Sequence, residues 1–309
     1  MFNKRSSDPV EVISRYVSAP RRHTQYLFWG FLVAALAVFA GLSIPTEVDD
    51  GPYVARVELF GIIFGDTERS DVLRELADDS DVAAVLLVLD SPGGTVYGGE
   101  QLLKDLEFIR AEKPVIAVME SVAASGAYMA SLGADYVFAG ETTITGSVGV
   151  IMQSTEVTGL LEKVGVESTV IKSGGKKAIP NPFEKLDESG LAYLQDDIDD
   201  LFDWFLDLVV TRRGLTDDVV DLIRDGRVVS GARAAELGLI DAIGGISEAR
   251  EWLEANEQIE TDLDEYTAWP LWEPPSLLEE FLSDYFGKSY ISEVLKLDGA
   301  LALWHPASK

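Results

Sequence analysis

The stretch VAAVLLVLDSPGG, residues 82–94, decides the fold. Its first eight residues form an apolar run, bounded by Asp81 and Asp90. A run that short, closed by charge at both ends, reads as a strand covered on both faces, which is the habit of parallel sheets. The Pro-Gly-Gly that follows predicts a strand-to-helix turn. Leu102, Leu103, Leu106 and Ile109 then recur at helical spacing over residues 96–110.

The same alternation continues on either side. YVARVELF, residues 53–60, reads as a strand, and residues 70–79 have helical spacing. Residues 114–119 predict a second buried strand, 125–132 a helix, and 135–139 and 148–152 short strands. Strands alternating with helices over this length predict an α/β domain with parallel pairing. Over 187–213, Leu191, Leu194, Ile198, Leu201, Phe205, Leu208 and Val209 mark a long amphipathic helix. Thr216 is placed to cap a second helix and Ser230 a third, and GLIDAIGG closes the region with a strand and a turn. Beyond about residue 258 the pattern breaks at WPLWEPP, and 277–286 and 291–303 read as short amphipathic helices. This helical C-terminal tail has three places to pack: on the domain, on a neighbouring subunit or on a membrane surface.

Residues 26–44, YLFWGFLVAALAVFAGLSI, carry no charge across 19 positions. As a helix they would span about 28 Å, the thickness of a bilayer core. Arg21 and Arg22 precede them, and Glu47, Asp49 and Asp50 follow. The positive-inside rule then puts the N-terminus in the cytoplasm and the large acidic domain outside, on a single transmembrane anchor in the cell membrane. A cleaved signal peptide is the competing reading, disfavoured by the long leader before the apolar run. The expected organisation is therefore a cytoplasmic segment (1–25), an anchor (26–44), a domain (52–255) and a tail (256–309).

The chain carries a net charge of −28, and residues 1–45 hold +3 of it, so the remainder stands at −31. Such an excess repels phosphate and argues against nucleic-acid partners. It also favours a protein that works in high salt, where the Debye length shrinks to roughly 3 Å. With no cysteine there is no disulfide and no thiolate chemistry, and zinc sites built on Cys and His are nearly excluded.

VAASGAYMAS, residues 122–131, raises the question of chemistry. Ser125 stands among small residues at the start of a helix, where free N–H groups and the helix dipole can stabilise an oxyanion. Its plain alternative is a helix cap. DSPGG adds a second glycine turn, so oxyanion donors can come from Gly93 or Gly94 and from Gly126. The motif lacks both glycine-rich nucleotide fingerprints. A serine nucleophile needs a base, yet the two histidines, His23 and His305, lie near the chain ends. A neutral lysine can serve instead. Lys172, Lys176 and Lys177 cluster in IKSGGKKAIP, and composition alone does not choose among them.

Together these stretches resemble the signal peptide peptidase A (protease IV) family of membrane-anchored serine peptidases. DSPGG, VAASGAYMAS, TGSVGVI, IKSGGKKAIP with its following PF, and DGRVVSGARAAELGLIDAIGG occur in order across about residues 52–250. The resemblance implies a core like those of Clp protease and crotonase, with no cofactor and no metal. It implies Ser125 as nucleophile, Lys177 as general base and Ser147 as the residue orienting that lysine. Gly93 or Gly94, with Gly126, would form the oxyanion hole. The implied substrates are signal peptide remnants and other short membrane-near peptides. Because the chain holds one catalytic unit, the resemblance also implies a homo-oligomer with active sites at subunit interfaces. Rival readings are a peptidase for one membrane protein partner, an inactive peptidase-like scaffold, and a crotonase-type acyl-CoA enzyme.

Overall fold

In the computed structural model of the chain, the described residues are 51–257, 259–269 and the backbone of 301–303. The expected anchor at 26–44 and the expected helix at 277–286 lie outside them. Among the described residues no helix is long and apolar enough to cross a membrane.

The sheet is built on β1 (Tyr53–Ile63), β2 (Val82–Thr95) and β3 (Val115–Ala124), which pair in parallel. The apolar run of β2 is buried as its composition requires. Val85, Leu87 and Leu89 face one core, and Ala84, Leu86 and Val88 face a second core on the other side of the sheet. Helices α1 (Thr67–Asp78) and α2 (Val96–Arg110) cover the first face. Leu102, Leu103, Leu106 and Ile109 of α2 are all buried there, as their spacing predicts.

Three expectations need correction. First, DSPGG is not a turn but the last part of β2, which runs on to Thr95. Thr95 ends the strand and caps α2, its Oγ1 accepting the Gly98 N–H at 3.0 Å. The helix therefore starts without an intervening loop. Second, the sheet is mixed rather than parallel throughout. The upper half of β3 pairs with β5 (Ile144–Gly146), which pairs antiparallel with β6 (Val228–Ser230). Its lower half pairs with β4 (Tyr136–Ala139), which carries β7 (Ala242–Ile243). The strand expected over 148–152 lies instead at β5, because Ile144, Thr145 and Gly146 supply the ladder to β3. Third, the expected helical tail contributes two strands among the described residues. β8 (Asp264–Trp269) pairs in parallel with β1, and β9 (Leu301–Leu303) pairs antiparallel with β2. At 301–303 an amphipathic pattern read for helix loses to a strand edge that needs hydrogen bonds.

Between β5 and the long helix α5 (Glu188–Arg213) the chain leaves the core. No residue from Gly149 to Ser189 is buried, and this arm includes the short helix α4 (Thr158–Val164). The amphipathic pattern of α5 holds, but only part of its face is covered. Phe205, Leu206 and Val209 pack into the core, whereas Leu191 is 58% exposed. The remaining helices are α3 (Gly126–Ser131), α6 (Asp217–Ile223), α7 (Gly231–Glu236) and α8 (Ile246–Asn256). Ser230 caps α7 as expected, accepting the Arg233 N–H at 3.3 Å. Thr216 sits at the start of α6 but its side chain makes no capping bond.

Candidate active site

Ser125 lies between β3 and α3 (Gly126–Ser131) with φ 55° and ψ −118°. That is a sparsely populated conformation for a residue with a Cβ, and it stores strain. Two contacts hold it there. The Ser125 N–H donates to the Gly146 carbonyl at 2.8 Å, one step beyond the Ala124–Gly146 pair of β3 and β5. Its carbonyl accepts the Met129 N–H at 2.8 Å.

All six residues of α3 are buried. Tyr128 pins the helix, its hydroxyl donating to the Leu239 carbonyl at 2.9 Å. Full burial pushes the Tyr128 phenol well above its ordinary value, so it stays protonated and keeps donating.

The cap reading of Ser125 fails. The residue occupies the cap position, but its side chain makes no capping bond. Ser125 is 1% exposed, and its Oγ is a buried polar atom without a hydrogen-bond partner among the described residues. Buried polar groups in folded proteins are nearly always paired, so an orphan hydroxyl on a strained elbow marks a place built for something other than stability.

Ser147 follows at φ 54°. Its N–H donates to the Arg227 carbonyl at 2.9 Å, and its chain neighbour Gly146 holds Ser125. The ladder of β3 and β5 therefore brings Ser125 and Ser147 side by side. β2 brings the glycines of DSPGG to the same end of the sheet, because Ser91 pairs with Ala123 just before Ser125.

Those two glycines have distinct reasons to be glycine. Gly93 adopts φ 105°. A Cβ on Gly94 would meet the Ile63 carbonyl oxygen at 1.7 Å, so β1 approaches too closely for any side chain. They also differ in hydrogen bonding. The Gly93 N–H donates to Ser91 Oγ at 3.1 Å, and the Ser91 hydroxyl donates to the Gly61 carbonyl at 2.5 Å.

The lysines separate cleanly. Lys172 pairs with Glu184, and Lys176 binds Ser189 and lies over the Tyr193 ring at 5.4 Å. Lys177 is exposed, and its Nζ has no partner among the described residues. Since Ser125 Oγ is unpartnered, Lys177 lies outside hydrogen-bond reach of it within one chain.

Sequence reasoning missed three supports of the elbow. Asp90 accepts the Val122 N–H at 3.0 Å where the β2–β3 ladder slips. Ser91, fully buried, braces Gly93. Thr145 Oγ1 donates to the Ala123 carbonyl at 2.7 Å. Asp90 and Ser91 stood in view within DSPGG, but reading that motif as a turn hid their role as strand residues.

Residues 107–260 match the profile described as Peptidase family S49, a span that includes Ser125, Ser147 and Lys177. A putative protease of Methanocaldococcus jannaschii is 35% identical over 219 residues, covering 66% of this chain and 70% of the relative. A putative signal peptide peptidase SppA of Enterococcus faecium is 35% identical over 188 residues, and the match covers 60% of this chain and 55% of that protein. Among solved structures, a ClpP1 mutant from Listeria monocytogenes overlaps 62% of this chain and 92% of its own, at 18% identity and a TM-score of 0.41. A likeness of that size carries no argument, and the α/β assignment rests on the sheet described above. The profile and the relatives together mean that the chain belongs to peptidase family S49 and is a serine peptidase.

Proposed function

We propose that this peptidase is a membrane-anchored endopeptidase with a Ser125–Lys177 dyad, acting on cleaved signal peptides and other short membrane-associated peptides. The observation that carries the reading is the buried, unpartnered Ser125 Oγ on a strained backbone. In the reaction a neutral Lys177 takes the Ser125 proton as Oγ attacks a peptide carbonyl. The C–N bond breaks, the amine leaves with the proton from Lys177, and water activated by the same lysine releases the acyl group. Ser147 orients the lysine. Gly126, the first residue of α3, offers an N–H to the oxyanion. Gly94 is the second donor we assign, because the Gly93 N–H is already given to Ser91.

The base is assigned to a second copy of the chain. A lysine serves as a base only when desolvation favours its neutral form, and Lys177 is exposed in a single chain. The arm that carries it exposes Leu160, Val164, Val166, Ile171 and Phe183, which are at least half exposed. Apolar surface of that extent calls for a partner, and a neighbouring subunit would cover the arm while burying the lysine. The anchor at 26–44 would hold the assembly in the cell membrane with its catalytic domains outside, and the acidic surface would suit a saline medium. A serine-reactive phosphonate tests the reading: wild type should label and Ser125→Ala should not. Labelling that persists in Ser125→Ala overturns the nucleophile.

A further inference from the structure

A strand has two edges, and the end of β2 uses both. Along one edge β1 stays paired to the last residues, Ile62 opposite Gly93 and Ile63 opposite Gly94. Along the other, β3 stays only as far as the Ser91–Ala123 pair, then leaves through Ser125 into α3. β9 pairs antiparallel with this same stretch, Leu303 opposite Gly93, Ala302 opposite Gly94 and Leu301 opposite Thr95. With β1 on the first edge, β9 must lie on the edge that β3 vacates. Gly93 is two residues past Ser91, and Ser125 is two past Ala123. Leu303 therefore lies level with Ser125 in the adjoining lane.

An extended peptide presented to Ser125 would have to run in that lane, because only there does it meet both the elbow and the free side of Gly93–Thr95. We infer that residues 301–303 are a resident strand in the peptide lane, so that substrates compete with the chain's own backbone for the site. The inference rests on the peptidase reading above. Strand addition uses main-chain hydrogen bonds, which any peptide supplies. A segment of the same chain competes at an effective concentration on the order of millimolar. Three residues make a short ladder, so the occupant is displaceable. If it fills the lane nine-tenths of the time, the apparent KM for added peptide rises about tenfold.

The test uses the full-length chain with Leu301→Pro and Ala302→Pro together. Antiparallel pairs alternate between hydrogen-bonded and non-hydrogen-bonded, so two consecutive prolines remove one ladder donor whichever register holds. The Gly93 amide is held by Ser91, so the report comes from Gly94 and Thr95: hydrogen–deuterium exchange at whichever of these two amides faces β9 should speed up at least several-fold. KM for an unstructured peptide should fall about threefold to tenfold, with kcat and melting temperature unchanged. Unaltered exchange in a folded variant overturns the resident strand. Faster exchange with an unaltered KM overturns the competition. A wild-type chain that neither labels with a phosphonate nor hydrolyses peptide, yet shows the exchange difference, overturns the peptidase reading instead.

Discussion

The backbone N–H of Ser125 is tied to the Gly146 carbonyl at 2.8 Å, while the Oγ of the same residue has no hydrogen-bond partner among the described residues. The fold fixes the position of the proposed nucleophile through its main chain and leaves its hydroxyl without a partner among the described residues. Removing that atom should therefore help stability. A buried unpaired hydroxyl costs about 1–3 kcal/mol. Ser125→Ala should abolish hydrolysis and raise unfolding stability by about 1 kcal/mol. Ser125→Gly should also relieve backbone strain of about 1–3 kcal/mol, partly offset by the roughly 1 kcal/mol that glycine's freedom costs. Urea midpoints decide it: a Ser125→Ala chain less stable than wild type would mean that the hydroxyl is bonded in solution.

Two glycines on neighbouring strands should respond very differently to a methyl group. At Gly94 the new Cβ would lie 1.7 Å from the Ile63 carbonyl oxygen, which is backbone and cannot step aside. Gly94→Ala should cost at least about 3 kcal/mol or prevent folding. At Gly61 nothing lies within 4 Å, and only the φ of 68° resists. Gly61→Ala should cost about 1–2 kcal/mol. Thermal unfolding of the pair checks the order, and equal losses would refute the close approach of β1 to β2.

Lys176 and Lys177 are adjacent but differently employed. Lys176→Ala gives up the bond to the Ser189 hydroxyl and the contact with Tyr193, so it should loosen the start of α5 and keep most activity. Lys177→Ala gives up no side-chain hydrogen bond or ion pair among the described residues, so stability should be unchanged while hydrolysis falls by a factor of at least about 10³, as expected for a general base that also activates the nucleophile. Mixing inactive Ser125→Ala and Lys177→Ala chains should restore roughly a quarter of the activity, because a shared interface pairs the intact serine of one with the intact lysine of the other. Zero recovery after subunit exchange would place the dyad within one chain.

The arm should respond to acid through Glu184. Lys172, and then Asn181 at 2.6 Å, hold its carboxyl below the ordinary value of 4.5. A depressed folded value means stabilisation that is present above the unfolded value and is lost as pH falls through the lower folded one. Amide exchange across residues 172–184, normalised to Glu184→Gln at each pH, should rise below about pH 4.5. A wild type that tracks the variant throughout would show that the pair contributes nothing.

How much of this was legible in the sequence depended on what each residue type reports. The run at 82–89 declared a doubly buried strand because apolar residues on both faces leave no other reading, and its side chains do divide between two cores. Leu102, Leu103, Leu106 and Ile109 gave α2 in the same way. DSPGG misled because proline and glycine usually punctuate. Here glycine serves the close approach of Ile63, which is a tertiary fact absent from local pattern. Ser125 and Ser147 were found as motif members, but their positive φ angles depend on the β3–β5 ladder. The tail misled because β8 and β9 are strands only by virtue of the edges they join.

Charge leads to the last prediction. Helix α5 carries Asp196, Asp197, Asp199, Asp200, Asp203 and Asp207, all exposed, and several stand three or four positions apart. Each such like-charge pair costs about 0.2–0.5 kcal/mol at low salt, and the net charge of −28 adds long-range repulsion. Raising salt from about 0.1 M to 1 M shortens the Debye length from roughly 10 Å to 3 Å. The melting temperature should climb steeply over that range and do so alike in sodium chloride and potassium chloride, because screening depends on ionic strength. Replacing three of the α5 aspartates by asparagine should flatten the climb. A rise seen only with sulfate would trace the effect to apolar burial rather than charge, and the case for a saline working environment would fall with it.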